Sequence, residues 1–200
     1  MPGNSEHLKS VSLWNMRKVE TIEEFYKRKF NGVPENIRNE IGHFNVFKLD
    51  PFVGVNAKPV PYSRRDYFKI MLVNGNYKMY YADEAVEIQK QALTFSNPQI
   101  PYACEHTERI QSGFFCVFTP AFFHQYGNLN RYTVFQPGGT HVFELTDEQV
   151  KNVTNIYEHM PSVNKILVWK EGKNSSRCSF PITIIKMVNI RSIEIHGFLY

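Results

Sequence analysis

The feature that most narrows the folds open to this chain is a change of hydrophobic period near residue 44. From there to residue 145 the apolar residues fall into short runs: "FNVFKL", "DYFKIMLV", "YKMYYA", "AVEIQ", "QALTFS", "IPYACE" and "GFFCVFT". Their spacing tends toward two, the period that sends successive side chains to opposite faces of a strand. Gly, Pro, Asn and Asp separate the runs, so the region reads as many short strands in a sandwich or barrel, not a helical bundle. Asn74-Gly75-Asn76 between the second and third runs predicts a β-hairpin. "YTVFQPGGTHVFEL" predicts another, with Pro137-Gly138-Gly139 in its loop.

Helical signals flank this region. "ETIEEFYKRKF" offers Thr21 as N-cap and Glu24 three residues on, a capping box, with Ile22, Phe25, Tyr26 and Phe30 near one face. "VPENIRNEIG" reads as a second short helix ending at Gly42. Thr119-Pro120 opens a short helix in "TPAFFHQYG". "LTDEQVKNVTNIYEHM" is the clearest helix. Thr146 and Gln149 form its capping box, and Val150, Val153, Ile156, Tyr157 and Met160 make an apolar stripe. That stripe must be buried, either on the barrel or against a second copy of the chain.

A chain of 200 residues with 42% hydrophobic residues, 16 Phe and 11 Tyr can bury a core without staples. The three cysteines, an odd number without metal-type spacing, suit free thiols in a reducing compartment. The first 20 residues lack the apolar core of a signal peptide, and no 18-residue apolar run is present. A cytoplasmic protein without membrane contact is expected. Residues 1–160 hold 17 basic and 17 acidic side chains, while 161–200 hold six basic and two acidic. A charge-balanced body is a poor binder of nucleic-acid phosphates.

Catalytic motifs are sparse. No two of the seven histidines (7, 43, 106, 124, 141, 159 and 196) lie within four residues. One ligand holds a divalent ion too weakly, so no metal and no cofactor are expected. His106 reads as a surface turn residue. No serine sits in a nucleophile elbow, Cys104 and Cys116 read as core thiols, and no Gly-rich phosphate loop appears. No catalytic residue is assigned, and the chain is expected not to be an enzyme. The polar cluster "KPVPYSRRDYFKI" is more informative. In a strand, adjacent Arg64 and Arg65 point to opposite faces, so one can enter a barrel beside Tyr62 and Tyr67. An inward guanidinium among aromatics suits a carboxylate or a sugar hydroxyl. The turn "FSNPQIPYACEH" adds Phe95, Asn97 and Tyr102 as candidate lining, with its prolines punctuating the strands.

The stretches "ETIEEFYKRKFNGVPENIRNEIGHFNVF", "KPVPYSRRDYFKI", "LTFSNPQIPYACEH" and "SGFFCVFTPAFF" resemble the N-terminal cupin-like sensing and dimerisation domain of AraC-family bacterial transcription regulators, in the form common in Bacteroidetes. The resemblance covers about residues 17–160. It implies a mainly β, cupin-like double-stranded β-barrel (jelly roll) with short N-terminal helices and a C-terminal helix. It also implies a small-molecule effector, a sugar or a carboxylate, inside the barrel, and a dimer formed through the helix after it. The expected organisation is an arm over 1–18, a sensing domain over 19–160 and an atypical basic tail over 161–200. Pro161 ends the helix, and the β-prone tail departs from the family's helix-turn-helix region. The dimer is therefore expected to be weak, and DNA to be recognised only through a helix-turn-helix region that is expected to be absent from this chain. The competing expectation is a small cupin-fold enzyme, an isomerase or dioxygenase-like protein.

Overall fold

The computed structural model describes residues 19–34, 37, 42–53, 60–82, 84–106, 112–124 and 128–159, without the side chains at 105, 106 and 130. The expected arm (1–18), the tail (161–200), most of the second short helix and Met160 lie outside the described residues.

Among the described residues ten strands form two five-stranded sheets. They are β1 (Val19–Glu20), β2 (Phe44–Lys48), β3 (Val60–Arg65), β4 (Phe68–Asn74), β5 (Tyr77–Tyr81), β6 (Glu84–Ile88), β7 (Gln91–Ser96), β8 (Tyr102–His106), β9 (Ser112–Phe118) and β10 (Val142–Glu144). The sheet orders are β1-β3-β8-β5-β6 and β10-β7-β4-β9-β2. Within them β2 pairs with β9, β3 with β8, β4 with β7 and β5 with β6, all antiparallel. Nested pairing of this kind, first with last and inward to the centre, is the jelly-roll topology of the cupin barrel. The expected fold class is therefore the one observed.

This topology corrects both hairpin expectations. β4 and β5 flank Asn74-Gly75-Asn76 yet do not pair with each other. β4 pairs with β7 and β9, and β5 with β6 and β8. The Asn-Gly turn carries the chain from one sheet to the other, with Gly75 at φ 119° and its N–H held by the Lys90 carbonyl at 2.6 Å. The β5–β6 pair turns instead beside Ala82, at φ 52°. Residues 132–145 form no hairpin either. Thr133–Phe135 is a 3₁₀ turn, and only β10 is a strand, paired with β7. A side chain at Gly139 would collide with the Thr133 carbonyl, which explains the glycine there.

Three helices complete the fold: α1 (Ile22–Phe30), α2 (Pro120–His124) and α3 (Asp147–Glu158). The capping boxes read at Thr21/Glu24 and Thr146/Gln149 are both formed. No helix of the described residues is long and apolar enough to cross a membrane. Two apolar clusters follow from the alternation along the strands. Ile70 and Leu72 of β4, Leu93 and Phe95 of β7 and Cys116 and Phe118 of β9 face outward beneath α2, the 3₁₀ turns and α3. The α3 stripe packs here: Val153 and Tyr157 are wholly buried, Val150 and Ile156 partly. Tyr157 donates to the Ile70 carbonyl at 2.9 Å and stacks on Phe114 with centroids 5.4 Å apart. Val153 and Tyr157 are thus committed to their own sheet and cannot be offered to a second copy of the chain. The inward residues, among them Met71, Val73, Tyr77, Met79, Tyr102, Cys104, Phe115 and Val117, form the barrel interior, which α1 enters with Ile22, Phe25 and Tyr26.

Candidate ligand-binding site

β3 carries the charged part of the interior. Its alternation buries Ser63 and Arg65 and exposes Arg64, so the inward arginine is Arg65, 2% exposed. Its guanidinium lies over the Tyr102 ring, 3.6 Å from the centroid. Nη1 donates to the carbonyls of Ser63 and Tyr102, and Nη2 to that of Pro61 at 3.0 Å. Nε stands 3.4 Å from a Glu20 oxygen in an ion pair but makes no hydrogen bond.

Glu20 reaches this point because β1 docks parallel to β3, with Glu20 opposite Arg65. Its other oxygen takes Nε and Nη2 of Arg28 at 2.8 and 2.7 Å, while Tyr67 donates its hydroxyl to the oxygen that faces Arg65, at 2.8 Å. Burial pushes the Tyr67 phenol well above its ordinary range, so it stays a donor. Arg65 is therefore a strut that ties β1, β3 and β8 together, with most of its donors already used.

Beside this strut lies an interior cavity of about 30 Å³. α1 contributes Phe25, Arg28 and Lys29 to its wall. Leu49 and Phe52 come from the segment after β2, and the strands add Val60, Arg65, Tyr67, Lys69, Met71, Tyr77, Tyr102, Cys104 and Phe115. Among the described residues the wall has four basic side chains and no acidic one. Lys69 arrives because it shares the inward face of β4 with Met71 and Val73. Its ammonium rests 4.9 Å from the centroid of Phe115, and that of Lys29 5.2 Å from Phe52. The Phe52 and Phe115 centroids are 5.7 Å apart. Burial lowers the Lys69 pKa. Burial, with repulsion from Lys69 next, brings Lys29 down to about 8.

The candidate residues read from the sequence separate accordingly. Arg65, Tyr67 and Tyr102 meet at this cavity. Arg64 is exposed, and Tyr62 donates to the Ala82 carbonyl at 2.6 Å away from the cavity wall. Phe95 lies on the outward face of β7, buried against Phe135 and Phe143, because its position has the parity of Leu93. Asn97 also leaves the barrel interior. Its amide donates to the Phe135 carbonyl at the edge of a second cleft of about 260 Å³, whose wall also includes Gln99, His124 and Gln136. His106 ends β8 instead of lying in a turn. Cys104 and Cys116 are buried free thiols, and Cys104 is part of the cavity wall. The sequence does not single out Lys29 or Lys69: period two in "DYFKIMLV" puts Lys69 on one face with Met71 and Val73, but only the packing shows that this face is the inward one.

Among the described residues no three His, Cys, Asp or Glu side chains converge as a metal site. No family model matches the chain, and no curated protein matches it. Solved structures give distant similarities. A predicted oxalate decarboxylase from Thermotoga maritima is 16% identical over 44% of this chain and 75% of its own, at TM-score 0.31. A cupin protein from Bacteroides fragilis is 16% identical over 48% and 75%, also at 0.31. ToxT from Vibrio cholerae is 9% identical over 73% of this chain and 54% of its own, at 0.38. Superpositions this loose leave the fold resting on the strand pairing itself.

Proposed function

We propose that this chain is the effector-sensing domain of an AraC-type transcription regulator, with the barrel interior as its effector site. One observation carries the reading: Arg65, Tyr67, Tyr102, Lys29 and Lys69 converge with aromatic side chains on one interior cavity. Arg65 is occupied by carbonyls, and the tyrosines are held protonated by burial. Such a site binds and orients a small molecule, and a bound ligand acts by favouring one of two conformations. Self-association is proposed through the partly exposed positions of α3, Val150 and Ile156, and is weak because Val153 and Tyr157 are spent inside the monomer. DNA contact belongs, in this reading, to a helix-turn-helix region outside the sensing domain. The test is a panel of sugars and small carboxylates screened by thermal denaturation, with sedimentation velocity on each stabilising compound. At least one compound should raise the melting temperature and change the monomer–dimer balance. Stoichiometric iron, manganese, nickel or zinc in the purified protein, with turnover, would replace this reading with a cupin enzyme.

A further inference from the structure

Lys29 and Lys69 present an electrostatic imbalance that folding alone does not explain. Both side chains are half-buried, and an ammonium withdrawn even partly from water is costly unless a counter-charge or hydrogen-bond acceptors compensate it. The nearby carboxylate, Glu20, is already engaged by Arg28, Arg65 and Tyr67. Both lysine ammoniums instead lie over the faces of aromatic rings that touch each other, Phe52 and Phe115. A ring face compensates a cation only in part. Two like charges are thus held at the wall of one cavity, where Lys69 repels Lys29, and the lowered pKa values of both express the same cost. Nε of the buried Arg65 and Nη1 of Arg28 add two donors without a hydrogen-bond partner at the same wall.

We infer that the cavity is a receptor for a small monocarboxylate, whose anionic head seats between Lys29 and Lys69 and whose apolar body lies against Phe52, Phe115 and Met71. This inference rests on the reading of the barrel as an effector site, and names the ligand class. The cavity's 30 Å³ is room for a head group of a few atoms, since a single water needs about 10–15 Å³ by the same kind of measure. A planar carboxylate can bridge two ammoniums and still leave its carbon chain on the rings. A neutral sugar would leave both lysines uncompensated. The lining makes the head the charged end and the body the apolar one.

The experiment uses the full chain at constant ionic strength. Acetate and propionate are titrated by calorimetry and by thermal denaturation, against acetamide, propionamide, inorganic phosphate and glucose. Lys69→Met and Lys29→Met are compared with the wild type. A carboxylate should bind, and each variant should weaken it about tenfold or more, the loss typical of a charge-assisted contact. Without ligand each variant should melt at or above the wild-type temperature, because an uncompensated charge has been removed. That gain marks a binding role and also shows that the variants fold. Equal binding of amide and carboxylate, equal binding of phosphate, undiminished binding by Lys69→Met, or no binding of any carboxylate would each overturn the inference. If glucose or another neutral compound binds where carboxylates do not, the effector reading survives and the carboxylate fails. If nothing in the wider effector panel binds, both fail.

Discussion

His43 is the residue through which acid should act on this fold. It precedes β2, is 3% exposed, and meets the Tyr26 hydroxyl at 2.7 Å through Nε2. The Tyr26 oxygen accepts from Asn45 Nδ2 at 2.7 Å, and Asn45 Oδ1 accepts from the Val46 N–H at 2.8 Å. Tyr26 therefore has its own proton left to give, and an unprotonated Nε2 of His43 is placed to accept it. Protonating His43 destroys that acceptor and buries a charge. Burial accordingly lowers the His43 pKa from 6.5 to about 4. Because the folded value is the lower one, the unfolded chain binds the proton more readily. Stability should fall as pH drops from about 6.5 and level off below about 4. A fall of about 2.5 in pKa corresponds to about 3 kcal/mol, a large part of the ~5–15 kcal/mol of a typical domain. The assay is urea unfolding at several pH values between 7 and 4, for the wild type and His43→Gln. Glutamine can accept the Tyr26 proton and does not titrate, while carboxylate effects common to both proteins cancel. The wild type should lose about 3 kcal/mol more than the variant across this range. Parallel stability curves would refute the argument.

Three further outcomes follow from the packing. Tyr157→Phe removes the bond to the Ile70 carbonyl and should cost about 1–2 kcal/mol in urea unfolding. Thr146→Ala removes the α3 cap, whose hydroxyl accepts from the Gln149 N–H at 3.3 Å, and should cost about 1 kcal/mol, with loss of helical circular dichroism on early heating. Gly113→Ala should abolish stable folding or lower the melting temperature by more than ~10 °C. Gly113 sits at φ +139°, where an added Cβ would stand 2.1 Å from the Leu72 carbonyl oxygen.

The strands were legible because alternation is a local signal, and the same holds for the capping boxes, which span three residues. Pairing was not legible. Asn74-Gly75 is a strong hairpin signal when the two flanking strands lie in one sheet. In a jelly roll consecutive strands often belong to different sheets, so the same dipeptide serves as a corner. The deciding factor is where β5 finds its partners, β6 and β8, and no short-range pattern carries that. Residues 132–145 were misread for a related reason: Pro137 and Gly138-Gly139 mark a turn, but only β10 finds a strand beside it.

The site was legible to the extent that parity is. Alternation along β3 sends one of Arg64 and Arg65 inward, and the burial of Ser63 decides for Arg65. Parity is right at Phe95, where the turn reading is not: "FSNPQIPYACEH" reads as one turn, yet Phe95 still belongs to β7 and, with Leu93, faces α3's side of the sheet. Lys69 shows the opposite error. A lysine within an apolar run is ordinarily taken for an outward residue, since its charge prefers water. Here Phe68, Ile70 and Leu72 need the outward face, because α2 and α3 cover it. The larger apolar surface wins that contest, and the lysine is turned into the barrel. Arg65 can be neutralised there by the chain's own Glu20 and carbonyls. Lys69 and Lys29 are left with aromatic faces, which makes them, not the arginine, the part of the interior that an anionic ligand would complete.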